Sequence, residues 1–296
     1  MKHKTYPTSE AFKQALEQHL RSASTIGVAR RRQLLVFDRF LARVIRVAGD
    51  AVTLKGGLVL ELRLKRARTT RDIDLRMTGD PAMVLARLQE AGRLDLGDYM
   101  AFEVRSDTGH PAIQNESTKY SGLRFRAECK LAGKLYGSIF GVDVAFGDPI
   151  LGEPEDVVGE NLLAFVGIEP TPLRLYPIET HIAEKLHAYT MPRERPNSRL
   201  KDFPDLALLA TTRALDAGRL RQALDQTFSF RKTHAVPATL PSPPSSWQGP
   251  YKHLAEENEL RWKDLGGLEA AVRLFLDPVL SGDLVARWDP ASWSWR

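Results

Sequence analysis

The chain has 296 residues, 43% of them apolar and 27% charged, which suits a soluble globular protein and excludes a disordered or fibrous one. Lys and Arg outnumber Asp and Glu by 42 to 37, and ten of the basic residues crowd into residues 1–46, a region able to attract phosphate backbones. A single cysteine, Cys129, excludes a disulfide framework or cysteine-rich zinc site; no signal peptide or membrane-length apolar run is present, so a cytoplasmic protein without membrane association is expected.

Residues 8–22 and 28–47 read as amphipathic helices. In the second, Leu34, Leu35, Phe37, Phe40, Leu41, Val44 and Ile45 recur at helical spacing behind the run Arg30-Arg31-Arg32. Residues 51–57 read as a short strand ending in the turn Gly56-Gly57, followed by a helix over 58–64. The alternation in 71–77 predicts a strand with one covered face, and 81–94 suits another helix. Residues 122–131 and 137–148 read as strands of a hairpin, with Cys129 as a buried residue of the first. Two proline-bearing stretches, 151–157 and 167–177, frame a loop region with a short strand near 172–176. Helices are expected over 178–190, 202–212, 216–227, 251–264 and 268–281, with a Pro/Ser-rich linker or arm at 236–250.

Strands dominate residues 50–176 and helices dominate residues 177–296. The expected fold class is therefore α/β (α+β), with a mixed sheet flanked by helices over residues 1–176. Residues 177–296 form a helical C-terminal part, and a cleft between the two is the natural ligand site.

Asp72 and Asp74 are two apart in a predicted strand, so their side chains leave on one face while Ile73 and Leu75 turn to the core. Paired carboxylates repel unless a cation neutralises them, and magnesium prefers such oxygen ligands. Asp143 lies between Val142 and Val144 in another predicted strand, an odd place for an acid unless it is paired or functional. An ion pair to an arginine such as Arg126 is the structural alternative. Three carboxylates on neighbouring strands suit a two-metal site. Gly56-Gly57, between strand and helix, lets backbone approach a triphosphate, and Lys55 either meets a phosphate or caps the strand.

The stretch from Lys55 to Met77 resembles the leading motif of the AbiEii/AbiGii-type, MenT-like nucleotidyltransferases, the toxin half of bacterial toxin–antitoxin pairs. That family carries a K-G-G turn and then R-x-[ST]-x-D-x-D, places filled here by Lys55, Gly56, Gly57, Arg68, Thr70, Asp72 and Asp74. Thr70 replaces the commoner serine and keeps the hydroxyl. The wider superfamily is that of DNA polymerase β, whose third carboxylate is matched by Asp143. A later helical lysine matches Lys185, and the basic-Asp-x-x-Asp element beyond it matches Arg199, Lys201, Asp202 and Asp205.

The resemblance implies Asp72, Asp74, Lys185 and Asp205 as catalytic residues. It implies Asp72, Asp74 and Asp143 as ligands of Mg2+ (or Mn2+), and Lys55, Gly56, Gly57, Arg68, Thr70 and Asp202 as nucleotide-binding residues. The implied reaction moves a nucleotide from an NTP to an RNA acceptor, the 3′ end of tRNA, and blocks translation; a cognate antitoxin is the implied partner. Transfer to a protein hydroxyl, including that of Thr70, and nucleotide or RNA binding without turnover are the alternatives. His181, Glu184 and His187 do not suit zinc, because residues six apart stand about 240° around a helix.

Overall fold

The computed structural model describes residues 5–22, 27–64, 70–109, 122–194, 197–282 and 284–296. Two helices open the chain. α1 (Ser9–Arg21) is capped by the Thr8 hydroxyl, which accepts from the Ala11 amide, and buries Phe12, Leu16 and Leu20. α2 (Val28–Ala48) buries Leu35, Phe37, Phe40, Leu41 and Val44 against the sheet. After β1 (Val52–Lys55) come α3 (Gly56–Arg63), β2 (Ile73–Met77), α4 (Val84–Arg93) and β3 (Met100–Ser106). β4 (Gly122–Leu131), the two-residue β5 (Lys134–Leu135), β6 (Phe140–Phe146), β7 (Glu155–Val158) and β8 (Pro172–Leu175) complete the sheet.

Its order is β3-β4-β6-β2-β1-β8-β7, with β5 paired to β4. β2 runs parallel to β6 and β1 parallel to β8, while the other pairs are antiparallel, so the sheet is mixed as expected. One face carries Leu54, Ile73, Leu75, Phe125, Val142 and Val144 into the core shared with α1 and α2. Cys129 is fully buried in β4, and burial pushes its thiol up to about 12.

The rest of the chain builds a second cluster from α5 (Ile178–Thr190), α6 (Asp202–Ala210), α7 (Ala217–Arg231), α8 (Gln248–Glu257) and α9 (Leu265–Leu280). Leu60 of α3 packs into this second cluster, so α3 ties it to the sheet. A small three-stranded sheet of β9 (Leu215–Asp216), β10 (Arg287–Asp289) and β11 (Ser294–Trp295) closes the end of the chain. The C-terminal tryptophans pack rather than project. Trp288 is fully buried and donates to the Ala210 carbonyl; Trp293 and Trp295 donate to Ala271 and Phe275.

Three expectations change. β3, β7 and the small sheet are strands that the sequence pattern did not announce. The arm at 236–250 is partly anchored: the Leu240 amide donates to Asp277, Trp247 donates to the Asn197 carbonyl, and α8 already starts at Gln248. Half of the ten basic residues in the N-terminal region are spent in ion pairs within the protein. Arg30 pairs with Glu61, Arg31 with Glu160, Arg32 with Glu17, and Arg39 and Arg43 share the buried Asp98. Those five guanidiniums hold helices together and leave less charge for a polyanion than the sequence count suggests.

Candidate active site

Strand register brings four charged residues into one row across the polar face of the sheet. Lys55 stands opposite Asp74, Asp74 opposite Asp143, and Asp143 opposite Arg124, on β1, β2, β6 and β4. Adjacent strands lie about 4.8 Å apart, so the two carboxylates are direct neighbours. Ile73, Leu75, Val142 and Val144 are fully buried on the other face, which fixes the register: a one-residue slip would put the acids into the core. Asp72 precedes β2 by one residue, and its Oδ1 accepts from the Gly141 amide of β6 at 3.0 Å. A side chain at Gly141 would collide with that oxygen, since its β carbon would lie 2.7 Å away.

Asp74 is pushed up to about 6, first by burial and then by the Asp143 charge; Lys185 and Lys55 pull the other way, and Asp72 adds to the rise. Two acids and two lysines therefore act on Asp74. Asp143 is held in a fork by Arg124, Nε to Oδ1 at 2.7 Å and Nη2 to Oδ2 at 2.6 Å. The partner is Arg124 and not Arg126, because Arg124 is the residue in register with Asp143; Arg126 faces Gly141 and pairs with Asp107 at 3.1 Å.

The donor set suits a hard divalent cation: it consists of carboxylate oxygens whose mutual repulsion a cation would relieve. The three acids are nonetheless not gathered into a ready ligand sphere. Among the described residues no three acids, histidines or cysteines converge in that way. Arg124 takes both oxygens of Asp143 and the Gly141 amide takes one of Asp72.

The glycine turn is shaped around Asp74. Gly56 has φ +70°, and a β carbon there would lie 1.9 Å from Asp74 Oδ2, so only glycine fits. Gly57 is buried in the first turn of α3, whose N-terminus has no side-chain cap and is electrostatically favourable to an anion. Lys55 does not simply cap the strand. Its Nζ lies 2.7 Å from Asp148 and 2.9 Å from Glu184 of α5, and sits 5.2 Å from the centre of the Tyr176 ring.

Lys185 on α5 meets both acids of α6, Asp202 at 2.6 Å and Asp205 at 2.8 Å. Asp202 is the first residue of α6 and not its cap, which is Lys201. Arg199 approaches Asp202 at 3.7 Å. Thr70 is buried beside the acid strand: its carbonyl accepts from Arg30 at 2.8 Å, and its hydroxyl lies 3.4 Å from the Asp72 carbonyl. Arg68 lies outside the described residues. The α5 histidines go elsewhere. His181 is buried with neither ring nitrogen hydrogen-bonded, Glu184 turns to Lys55 and Arg231, and His187 meets Thr233 at 2.7 Å.

Arg124, Asp148 and Arg231 are residues the motif reading missed, and Glu184, weighed there only as a zinc ligand, instead stands beside Lys55. Arg124 had a signal, since in a hairpin of this register it must oppose Asp143. Asp148 and Arg231 had none, because a loop and a helix distant in sequence bring them to Lys55.

A family model described as nucleotidyl transferase AbiEii toxin, type IV TA system, matches residues 39–287. The solved structure of MenT4, a nucleotidyltransferase toxin from Mycobacterium tuberculosis H37Rv, is similar with a TM-score of 0.56 and 16% identity. The match covers 95% of this chain and 92% of that one, and it shows a shared fold. JHP933 from Helicobacter pylori aligns at a TM-score of 0.43 and 16% identity, over 87% of this chain and 92% of that one. No curated protein matches.

Proposed function

Because the chain belongs to the AbiEii family of nucleotidyltransferase toxins, of the type IV toxin–antitoxin systems, we propose that its polar sheet face transfers a nucleotide from an NTP to RNA. The acceptor is the 3′ end of tRNA, the consequence is a block of translation, and the antitoxin that a family of this kind implies is the regulatory partner. One observation carries the reading: the in-register row Lys55, Asp74, Asp143 and Arg124, with Asp72 beside it and Lys185 acting on Asp74.

In the proposed reaction the acceptor hydroxyl oxygen bonds to the α-phosphorus, the bond to the β-phosphate oxygen breaks, pyrophosphate leaves, and the hydroxyl proton passes to solvent. Asp72, Asp74 and Asp143 would hold Mg2+ (Mn2+ being a substitute), which supplies Lewis-acid stabilisation of the phosphoryl oxygens. The α3 N-terminus at Gly56-Gly57 offers backbone N–H groups to the phosphates. Lys185, oriented by Asp202 and Asp205, adds positive charge where negative charge accumulates as pyrophosphate departs. Lys55 anchors the turn through Asp148 and Glu184 and keeps its charge beside Asp74. Thr70, and Arg68 by the family motif alone, are the remaining nucleotide-binding residues of this reading.

The test is incubation of purified protein with each labelled NTP, magnesium and total tRNA. Label in tRNA that disappears in Asp72→Ala and Asp74→Ala supports the reading. Label confined to protein would make a protein hydroxyl the acceptor, and label that persists in both variants would remove the carboxylates from the chemistry.

A further inference from the structure

Arg124 occupies a special place in the row. Among the described cations acting on Asp74, Lys55 is held by Asp148 and Glu184, and Lys185 by Asp202 and Asp205. Arg124 is instead held by Asp143, itself one of the three acids assigned to the metal. A guanidinium fork takes one lone pair on each oxygen of a carboxylate, and its positive charge repels a cation seated on the same group, so the two compete for Asp143. The arginine is the mobile partner. Its side chain is 39% exposed and that of Asp143 17%, so it can turn outward without opening the core.

Where it would turn is also defined. Arg126 comes next on the same face of β4, and Arg105 of β3 stands directly opposite Arg126. Asp107 pairs with Arg126 at 3.1 Å, so this group of three arginines already holds one acid and keeps an excess of positive charge for a further anion. A planar fork that fits two carboxylate oxygens fits two phosphate oxygens equally well.

We propose that Arg124 and a divalent cation compete for Asp143, and that the displaced guanidinium then binds nucleotide phosphate, making metal and phosphate binding cooperative. This rests on the assignment of Asp72, Asp74 and Asp143 to a metal. The coupling is reciprocal by linkage: phosphate that captures Arg124 clears Asp143 for the cation, and the cation releases Arg124 for phosphate.

The experiment measures Mn2+ binding, without nucleotide, from the free-ion electron paramagnetic resonance signal. The proteins are wild type, Arg124→Met, Arg124→Lys, Arg126→Met and Asp143→Asn, with circular dichroism melts to confirm folding. Removing the competitor should tighten Mn2+ binding about tenfold in Arg124→Met, a factor inside the usual range of site coupling. Arg124→Lys, which loses the fork and keeps a charge, should fall between, and Arg126→Met should match wild type. A second arm uses magnesium tripolyphosphate, which presents the phosphates without a base; the rise in melting temperature it causes should be smaller in Arg124→Met than in wild type.

If Asp143→Asn weakens Mn2+ binding and both Arg124 variants bind it no tighter than wild type, the competition is refuted while the metal reading stands. Should no variant bind Mn2+ at all, both fall together. An equal tripolyphosphate response in wild type and Arg124→Met overturns the phosphate half. If Arg124→Met fails to fold, Arg124→Lys decides both arms by the same criteria.

Discussion

A β carbon on Gly56 would lie 1.9 Å from Oδ2 of Asp74, so the glycine turn and the strand acid are fitted into one another. As sequence, the turn reads as a cradle for phosphates; as structure, its nearest demand is room for a carboxylate. Gly56→Ala must either move Asp74 or distort the start of α3, and at φ +70° it also costs about 1 kcal/mol of left-handed strain. Displacement of a reacting group by about an ångström costs on the order of 100-fold in rate. Nucleotide transfer by Gly56→Ala should therefore fall by about that factor, read as kcat/KM for labelled NTP. Wild-type transfer in the variant would show that Asp74 does not depend on this seat.

Lys185 stands between two buried acids, and its removal separates structure from chemistry. Lys185→Met leaves Asp202 and Asp205 without the ammonium they share, and breaking a buried pair costs about 3–5 kcal/mol. Neutralising the fully buried acid as well, in Lys185→Met/Asp205→Asn, should recover part of that loss in a thermal melt. Transfer should stay at the level of the single variant, because the positive charge is still missing. Recovery of transfer in the double variant would mean that Lys185 serves stability alone.

The difference between what could and could not be read from the chain comes from the range of each contact. Asp72 and Asp74 were legible because a period of two, with Ile73 and Leu75 between and after them, fixes the face they leave on. Asp143 was legible for the same reason between its valines, and Lys185 with Asp202 and Asp205 came from the family motif. Arg124 required the pairing of β4 with β6, one step beyond pattern. Lys55 could not be resolved, since Asp148 and Glu184 are 93 and 129 residues away and nothing local points to them. β7 hid because Glu155 and Asp156 come after a proline and imitate a loop. The N-terminal arginines misled for the opposite reason. Their charge was visible, but the acids that absorb it, Glu61, Asp98 and Glu160, lie far along the chain.

Asp98 is the most consequential of those acids. It is fully buried and accepts from Arg43 at 2.6 Å and from Arg39 at 2.7 Å, fastening α2 to the loop before β3. Burial alone would raise its carboxyl, yet the bonds and charges of Arg43 and Arg39 hold it below the usual range. A depressed carboxyl contributes stability that is present above the unfolded value and lost as pH falls through the folded one. Asp98→Ala strands two buried guanidiniums and should cost about 3–5 kcal/mol. Denaturant melts at pH 7 measure this directly. A loss below about 1 kcal/mol, the level of an exposed pair, would mean that the guanidiniums find other partners.

On the same helix, Asp38 behaves in the opposite sense. Burial pushes its carboxyl up to about 6 from 3.8, and Arg39 offsets this only in part, its guanidinium lying 3.6 Å away. Here the folded protein holds the proton more tightly than the unfolded chain. The stability so gained is complete below the unfolded value and disappears as pH rises through about 6. Asp38→Asn removes the titration, so the variant should gain on wild type as pH rises from 4 to 8. The rise from 3.8 to about 6, in which the Arg39 contact is already counted, sets an upper limit of about 3 kcal/mol on that gain. Urea melts of both proteins across that pH range test the sign. Parallel stability profiles would show that Asp38 titrates in the folded protein as it does in the unfolded chain.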